Sequence, residues 1–327
     1  MPRIHLRPPW RRADLHHPTD EQIAIDRRAF LAALGLGGAM AGAHIAGCSS
    51  SPAAAPPPGA ATKPATRGRY PALRNPRFKI DRKLTRREAV LRHINYYEFD
   101  SADKPRAVRL AQHLTTSPWT VTVAGLVKKA KMFDIDDLER RFRLEERLYR
   151  HRCVETWAMT LPWVGFPLRK LLDWVEPLSG AKFVRFVSFN RPAEAPGMRP
   201  GSAYPWPYHE GLRLDEARND LTLLATGMYG HRLPKQNGAP LRLVVPWKYG
   251  YKSIKAIERI ELVAEQPPTF WNTVTPREYP FYSNVDPAVP HPRWSQAEEW
   301  MIDGHQAERR KTLPYNGYGD LVAGMYM

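Results

Sequence analysis

Cys153 is the residue whose chemistry most constrains the chain. It stands in Tyr149-Arg150-His151-Arg152-Cys153-Val154-Glu155-Thr156-Trp157. The other cysteine, Cys48, ends a segment that reads as an export leader. A mature domain with one thiol has no internal disulfide partner. That thiol is then either inert packing or a ligand or nucleophile. Arg150, His151 and Arg152 beside it favour the thiolate. Glu155 is either a proton-handling group or a structural carboxylate paired with an arginine.

Three further segments carry polar chemistry. Asn95-Tyr96-Tyr97-Glu98-Phe99 combines an amide, phenols and a carboxylate. Gln236-Asn237-Gly238-Ala239-Pro240-Leu241-Arg242-Leu243 opens on a turn signal, and Arg242 offers a planar fork for anions or heterocycle edges. Val245-Pro246-Trp247-Lys248-Tyr249-Gly250-Tyr251-Lys252-Ser253-Ile254-Lys255 is a glycine-bearing basic loop between strand-like runs, suited to cradle an anion. His151, His209, His231, His291 and His305 are scattered without HxxxH or HExxH spacing, so no zinc or copper site is expected.

The segment from Arg152-Cys153-Val154-Glu155 to Trp163-Val164-Gly165-Phe166-Pro167-Leu168 resembles the molybdenum-ligating stretch of the sulfite-oxidase-fold molybdoenzymes. Within them it most resembles the branch of periplasmic protein-methionine-sulfoxide reductases. The resemblance implies that Cys153 is the single protein bond to molybdenum, the other ligands being pterin dithiolene and oxo groups. It places Asn95, Tyr97 and Glu98 beside the pterin and metal, with Ile94 where the family has a second Asn. It puts Ser188 at a position commonly Thr, and assigns Asn237, Arg242, Ser253, Ile254 and Lys255 to the pterin and its phosphate. Cys153, Asn95, Tyr97 and Glu155 are the expected catalytic residues. One molybdopterin, in the mononucleotide form, is expected per chain, with no haem, flavin or nicotinamide. Tyr204, Trp206 and Tyr208 are candidates for an open substrate site or for the core. The implied reaction is oxygen-atom transfer from methionine sulfoxide in other envelope proteins. Electrons would come from a membrane haem-bearing subunit that oxidises quinol. The chain shows neither the additional dimerisation domain of sulfite oxidases nor a fused haem domain, which favours the reductase branch.

Residues 1–47 read as a twin-arginine signal. Asp26-Arg27-Arg28-Ala29-Phe30-Leu31 precedes an uncharged, glycine-rich stretch that makes a poor membrane span. Such a leader implies folding around a cofactor before export to the periplasm. Ile45-Ala46-Gly47-Cys48 also fits a lipoprotein box, with Cys48 lipidated, or Cys48 is discarded or left free. Residues 48–92 read as a basic Pro/Ala-rich tether. The formal charge is +16, and residues 48–95 hold eleven Lys and Arg against Asp81 and Glu88. An anionic membrane, a partner subunit or plain solvent suits that stretch better than nucleic acid.

The catalytic domain is expected over residues 93–327. Alternation predicts a strand over 119–125, with others at 183–187, 241–245 and 257–263. Helical spacing predicts 134–142, 166–175 and 214–217 as helices, with Asp134 or Asp136 as a cap. Strands and helices mix without a βαβ rhythm, so the expected class is α+β with long ordered loops. Two other readings stand beside this one: a sulfite-oxidising enzyme of the same fold, and a cofactor-free envelope lipoprotein.

Overall fold

β-Strand alternation builds the first of two sheets. β1 (Thr120–Gly125) and β5 (Phe183–Ser188) bury every second side chain, as a sheet with one covered face requires. With β2 (Lys131–Asp134), β6 (His209–Arg213) and β10 (Ile257–Val263) they form a five-stranded sheet in the order β2-β1-β10-β5-β6. β1 and β10 run parallel, and the other pairs are antiparallel. The structure is a computed structural model that describes residues 69–302 and 308–327. The leader, Cys48 and residues 48–68 of the expected tether lie outside the described residues.

The second sheet is organised by β4 (Trp157–Pro167), which is buried from Ala158 onward. β3 (Glu145–Arg152) runs antiparallel along it, with Arg152 opposite Ala158. β7 (Leu223–Met228) pairs with its far end, and β11 (Glu298–Met301) lies parallel to its first residues. β8 (His231–Arg232) and β9 (Arg242–Val244) extend β7, and β12 (Glu308–Lys311) extends β11. A strand flanked this fully reads as a continuous apolar run without period. Gly165 is required where β4 and β7 meet: a Cβ there would sit 2.1 Å from the Leu224 carbonyl oxygen.

Short helices join the strands. α1 (Arg87–Arg92) and α2 (Lys104–Ala111) precede β1, and α3 (Ile135–Arg141) follows β2. Asp134 caps α3 by accepting the Asp136 N–H at 2.8 Å, as the sequence pattern predicts. α4 (Leu168–Val175) buries Leu168, Leu171, Leu172 and Val175. It starts two residues later than expected, because Phe166 and Pro167 stay in β4 opposite Leu224 and Leu223. α5 (Leu214–Arg218), α6 (Phe270–Val274) and α7 (Gly319–Val322) are the other α-helices among the described residues. The strand expected at 241–245 is reduced to β9. No helix among the described residues is long and apolar enough to cross a membrane.

The tether expected to reach residue 92 corrects to an ordered part of the fold from Arg69 on. Tyr70 donates to Glu139 at 2.8 Å, and Asn75 N–H joins the Glu146 carbonyl at 2.8 Å. Arg69 pairs with Glu139, Arg74 with Glu146, Arg77 with Asp220 and Arg82 with Glu299. Much of the basic excess in this stretch is thus neutralised within the domain. α1 then carries Val90 and the following residues into the wall of the main cavity.

Candidate active site

The β3–β4 hairpin turn, residues 153–156, presents the thiol. Cys153 N–H bonds the Trp157 carbonyl at 2.9 Å, and Thr156 N–H returns to the Cys153 carbonyl at 3.0 Å. Thr156 adopts φ +73°, a left-handed conformation that closes the turn at some cost in backbone energy. The sulfur accepts the Glu155 N–H at 3.4 Å and the Asn95 amide at 3.8 Å. It borders a cavity with about 1020 Å³ of space free of protein atoms, continuous with solvent.

The fold brings together most of the residues singled out above. Asn95, Tyr97, Glu98, Cys153, Glu155, Asn237, Arg242, Ser253, Ile254 and Lys255 all line this cavity. Four separated segments meet there because β3, β9 and the loops after α1 and β9 converge on one end of the second sheet. Lys255 Nζ donates to the Asn95 carbonyl at 2.8 Å and tethers two walls. Burial raises the Glu98 carboxyl, and burial pushes the Lys255 ammonium down to about 8.

Three expectations need correction. Ser188 does not line the cavity: its hydroxyl donates to the carbonyls of Lys255 and Ala256 at 2.9 and 3.2 Å. It supports the basic loop from behind. Arg242 does not offer a free fork, because it donates to the Asn237 and Ser253 carbonyls at 2.9 and 3.0 Å. It clamps the two loops of the cradle, and its guanidinium lies 4.8 Å from the Trp163 ring centre. Gly238, with φ +100°, allows that closure. A Cβ at this position would press 2.9 Å from Lys255 Cβ. The thiol, expected to be ionised by its basic neighbours, is instead pushed up to about 12, first by burial and then by Glu155. Arg150 is spent on Asp81 and the Asn316 carbonyl, and Arg152 on Glu299 and Gln296. Burial drives the His151 imidazole down to about 3, so it is neutral. Of the aromatic residues left open between substrate site and core, Tyr208 lines the cavity, while Tyr204 and Trp206 pack around Phe270, with Tyr204 also against the lining rings of Tyr97 and Trp271.

Glu155 stands at the rim beside Lys104, 3.5 Å away, and accepts from Trp157 Nε1 at 3.2 Å. Its cationic partner is a lysine and not the arginine considered from sequence. Sequence reasoning missed His93, His151, Trp163, Trp271 and Tyr279 as lining residues. His151, adjacent to the Arg152-Cys153 motif, carried the clearest signal, since β-alternation puts it two positions from Cys153. Trp271 and Tyr279 lie more than a hundred residues from it in sequence and carried none.

His93 gives the site a pH signature. Burial and the Lys104 ammonium push its imidazole down to about 3, against an ordinary 6.5. Between those values the unfolded chain binds a proton that the folded chain refuses, so stability falls as pH drops through this window. His93→Gln is expected to flatten the slope of unfolding free energy there by up to about 1.4 kcal/mol per pH unit. Urea melts at a series of pH values test this, and equal slopes in both proteins would remove His93 as the cause.

The cavity suits a polar heterocycle carrying a metal. His93 Nε2, Trp163 Nε1 and Asn237 Oδ1 belong to lining residues and are buried without protein partners. Unpaired buried groups of both donor and acceptor type call for a ligand that supplies the complement. Among the described residues no three His, Cys, Asp or Glu side chains gather as a metal cage. A metal at Cys153 must therefore bring its remaining ligands with it, and a pterin dithiolene does so. Sulfur is a fitting donor for molybdenum.

Comparison with known proteins agrees with this geometry. Residues 108–271 match the oxidoreductase molybdopterin-binding domain family. The protein-methionine-sulfoxide reductase catalytic subunit MsrP of Burkholderia mallei is 52% identical over 268 residues, covering 81% of this chain and 80% of the relative. The protein of that name from Xanthomonas axonopodis pv. citri is 47% identical over 312 residues, covering 94% and 93%. A solved structure, the sulfane dehydrogenase SoxCD from Paracoccus pantotrophus, aligns with 47% of this chain and 40% of its own, at 20% identity and a TM-score of 0.39. The identity over most of both chains, around a lone cysteine in a cavity that wants a polar heterocycle, shows that the chain belongs to the protein-methionine-sulfoxide reductase catalytic subunits, molybdopterin-binding oxidoreductases acting on sulfur.

Proposed function

We propose that this chain reduces methionine sulfoxide residues in oxidised envelope proteins, with Cys153 as the protein's ligand to a molybdenum held by a pterin in its mononucleotide form. The observation that carries the reading is Cys153 at the wall of a cavity whose lining leaves three buried polar atoms unpaired. When bound, the molybdenum–pterin group supplies oxygen-atom acceptance and two-electron redox chemistry.

The chain's own residues do the rest. Asn95 and the Glu155 N–H donate toward the sulfur, which lowers the electron density it offers a metal. His93, Asn237 and Trp163, with buried unpaired atoms in the lining, would meet the heterocycle edge, and Lys255 with the loop around it would hold the phosphate. Tyr97, Trp271 and Tyr279 form an aromatic wall, with Tyr97 and Trp271 ring centres 5.1 Å apart. Such faces hold a sulfur-bearing methyl group by soft contacts. Reduction of a sulfoxide to a thioether and water takes two protons and two electrons. Glu155, which lines the cavity, and Lys104, 3.5 Å from it, are the chain's candidates to relay protons to the site. The electrons come from a membrane haem-bearing subunit that oxidises quinol, and the protein works in the periplasm after twin-arginine export. The Arg27-Arg28 leader supports that location.

Protein purified after native export tests the reading. One molybdenum and one pterin per chain are expected, together with loss of sulfoxide from an oxidised periplasmic extract when reduced donor is added. Mass spectrometry reads the peptides. Metal-free wild type, or faster turnover of sulfite than of sulfoxide, would overturn it.

A further inference from the structure

The turn that carries Cys153 is held from outside by a segment 140 residues away. Gln296 donates through Nε2 to the Val154 carbonyl at 2.9 Å and accepts from Arg152 at 2.8 Å. Trp294 Nε1 donates to the same Val154 carbonyl at 2.8 Å. The Cys153 carbonyl accepts both Thr156 N–H and the Arg152 guanidinium. Two consecutive carbonyls in a four-residue turn thus take four donors. Gln296 is 2% exposed, and Arg152 and Glu299 are fully buried. Arg152 in turn pairs with Glu299 at 3.4 Å, and Glu299 also takes Arg82.

These contacts go beyond filling hydrogen-bond capacity. Arg152 reaches the Cys153 carbonyl directly, and Gln296 adds the link from the same guanidinium to the next carbonyl, that of Val154. Gln296 also lies outside residues 108–271, the stretch that matches the molybdopterin-binding domain. The turn that carries Cys153 thus takes hydrogen bonds from a segment outside that stretch.

We propose that Gln296 is a positioning residue for the Cys153 sulfur: its amide locks the Arg152 guanidinium to the Val154 carbonyl and so holds the orientation of the sulfur at the cavity wall. The proposal rests on the reading of Cys153 as the metal ligand. A carboxamide can donate and accept at once. Gln296→Glu keeps the volume and the acceptor for Arg152 but has no donor for Val154, because a carboxylate beside a guanidinium stays ionised. Gln296→Leu removes both.

The full-length chain, purified after export, is compared as wild type, Gln296→Glu and Gln296→Leu. Hydrogen exchange is followed in the peptide covering residues 153–157. The paramagnetic signal of the one-electron-reduced metal is recorded alongside metal content. Both variants are expected to exchange about tenfold faster in that peptide, as loss of one buried hydrogen bond implies. They should retain molybdenum and show a shifted signal, since the signal follows the angle of the sulfur at the metal. Wild-type exchange and an unchanged signal in folded Gln296→Glu would overturn the proposal, whatever becomes of Gln296→Leu. Wild type without molybdenum would instead defeat the assignment of Cys153, and the exchange comparison would still decide whether Gln296 holds the turn.

Discussion

Cys153→Ala leaves the cell without a stably held molybdenum centre and reduces methionine sulfoxide at least about 100-fold more slowly than wild type. The floor comes from a comparison of positions. Partners that only orient a ligand typically contribute 10–100-fold to affinity or activity, and Cys153 is the ligand itself. Among the described residues no group of three or more His, Cys, Asp or Glu side chains stands ready to hold a metal in its place. The variant should fold: Cys153 is a small buried group whose backbone bonds to Trp157 and Thr156 involve no sulfur. Molybdenum by mass spectrometry, pterin fluorescence and a sulfoxide assay make the test. Full metal content with an unaltered centre in the variant would end the assignment. The raised thiol pKa adds a second expectation: loading metal must release the Cys153 proton, so loading slows as the medium becomes more acidic.

Glu216→Ala destabilises the domain by about 3–5 kcal/mol, the cost of stranding a buried charge, and lowers the melting temperature by about 10 °C. Glu216 is fully buried. It accepts Lys248 Nζ and the Tyr326 hydroxyl, both at 2.6 Å, and the Arg213 N–H at 3.0 Å. Lys248 is 1% exposed, and burial already lowers its ammonium to about 8. Losing Glu216 leaves that charge with only the Tyr282 carbonyl and the Asn284 amide oxygen. The penalty should shrink as pH rises past about 8, where Lys248 is neutral in the wild-type fold as well. Glu216→Ala with Lys248→Met should recover most of the loss, since removal of both charges leaves no orphan. Calorimetry of the single and double variants decides it: equal melting temperatures in all three would show the pair to be incidental. The same carboxylate anchors Tyr326, so the single variant should also expose the C-terminal residues to protease.

The elements that the sequence made legible are those governed by local patterns. Alternation located β1, β5 and β10, and Asp134 marked the start of α3, because a strand face and a helix cap depend on neighbours within a few residues. The polar β3, with Glu146, Arg147 and Arg152 buried in it, did not read as a strand. Its charges are tolerable only through partners elsewhere, such as Glu299 for Arg152. The same division runs through the site. Cys153, Asn95, Asn237 and Lys255 were recognisable through the resemblance of the short motifs that hold them, taken in order along the chain, to a known family.

What each of them does depends on segments that the chain brings together from afar. Burial, and not the basic neighbours in sequence, decides that the free thiol is protonated, since those neighbours turn to Asp81, Glu299 and the backbone. The Arg242 fork is consumed by carbonyls that only the folded loops place within reach. Ser188 ends up behind the cradle and Trp271 within the cavity wall. Gln296 reaches the Cys153 turn because β11 lies parallel to β4. Residue type and spacing therefore determined which atoms this protein can offer to a metal and a heterocycle. Burial and long-range pairing, which no local pattern encodes, decided their protonation, their partners and their aim.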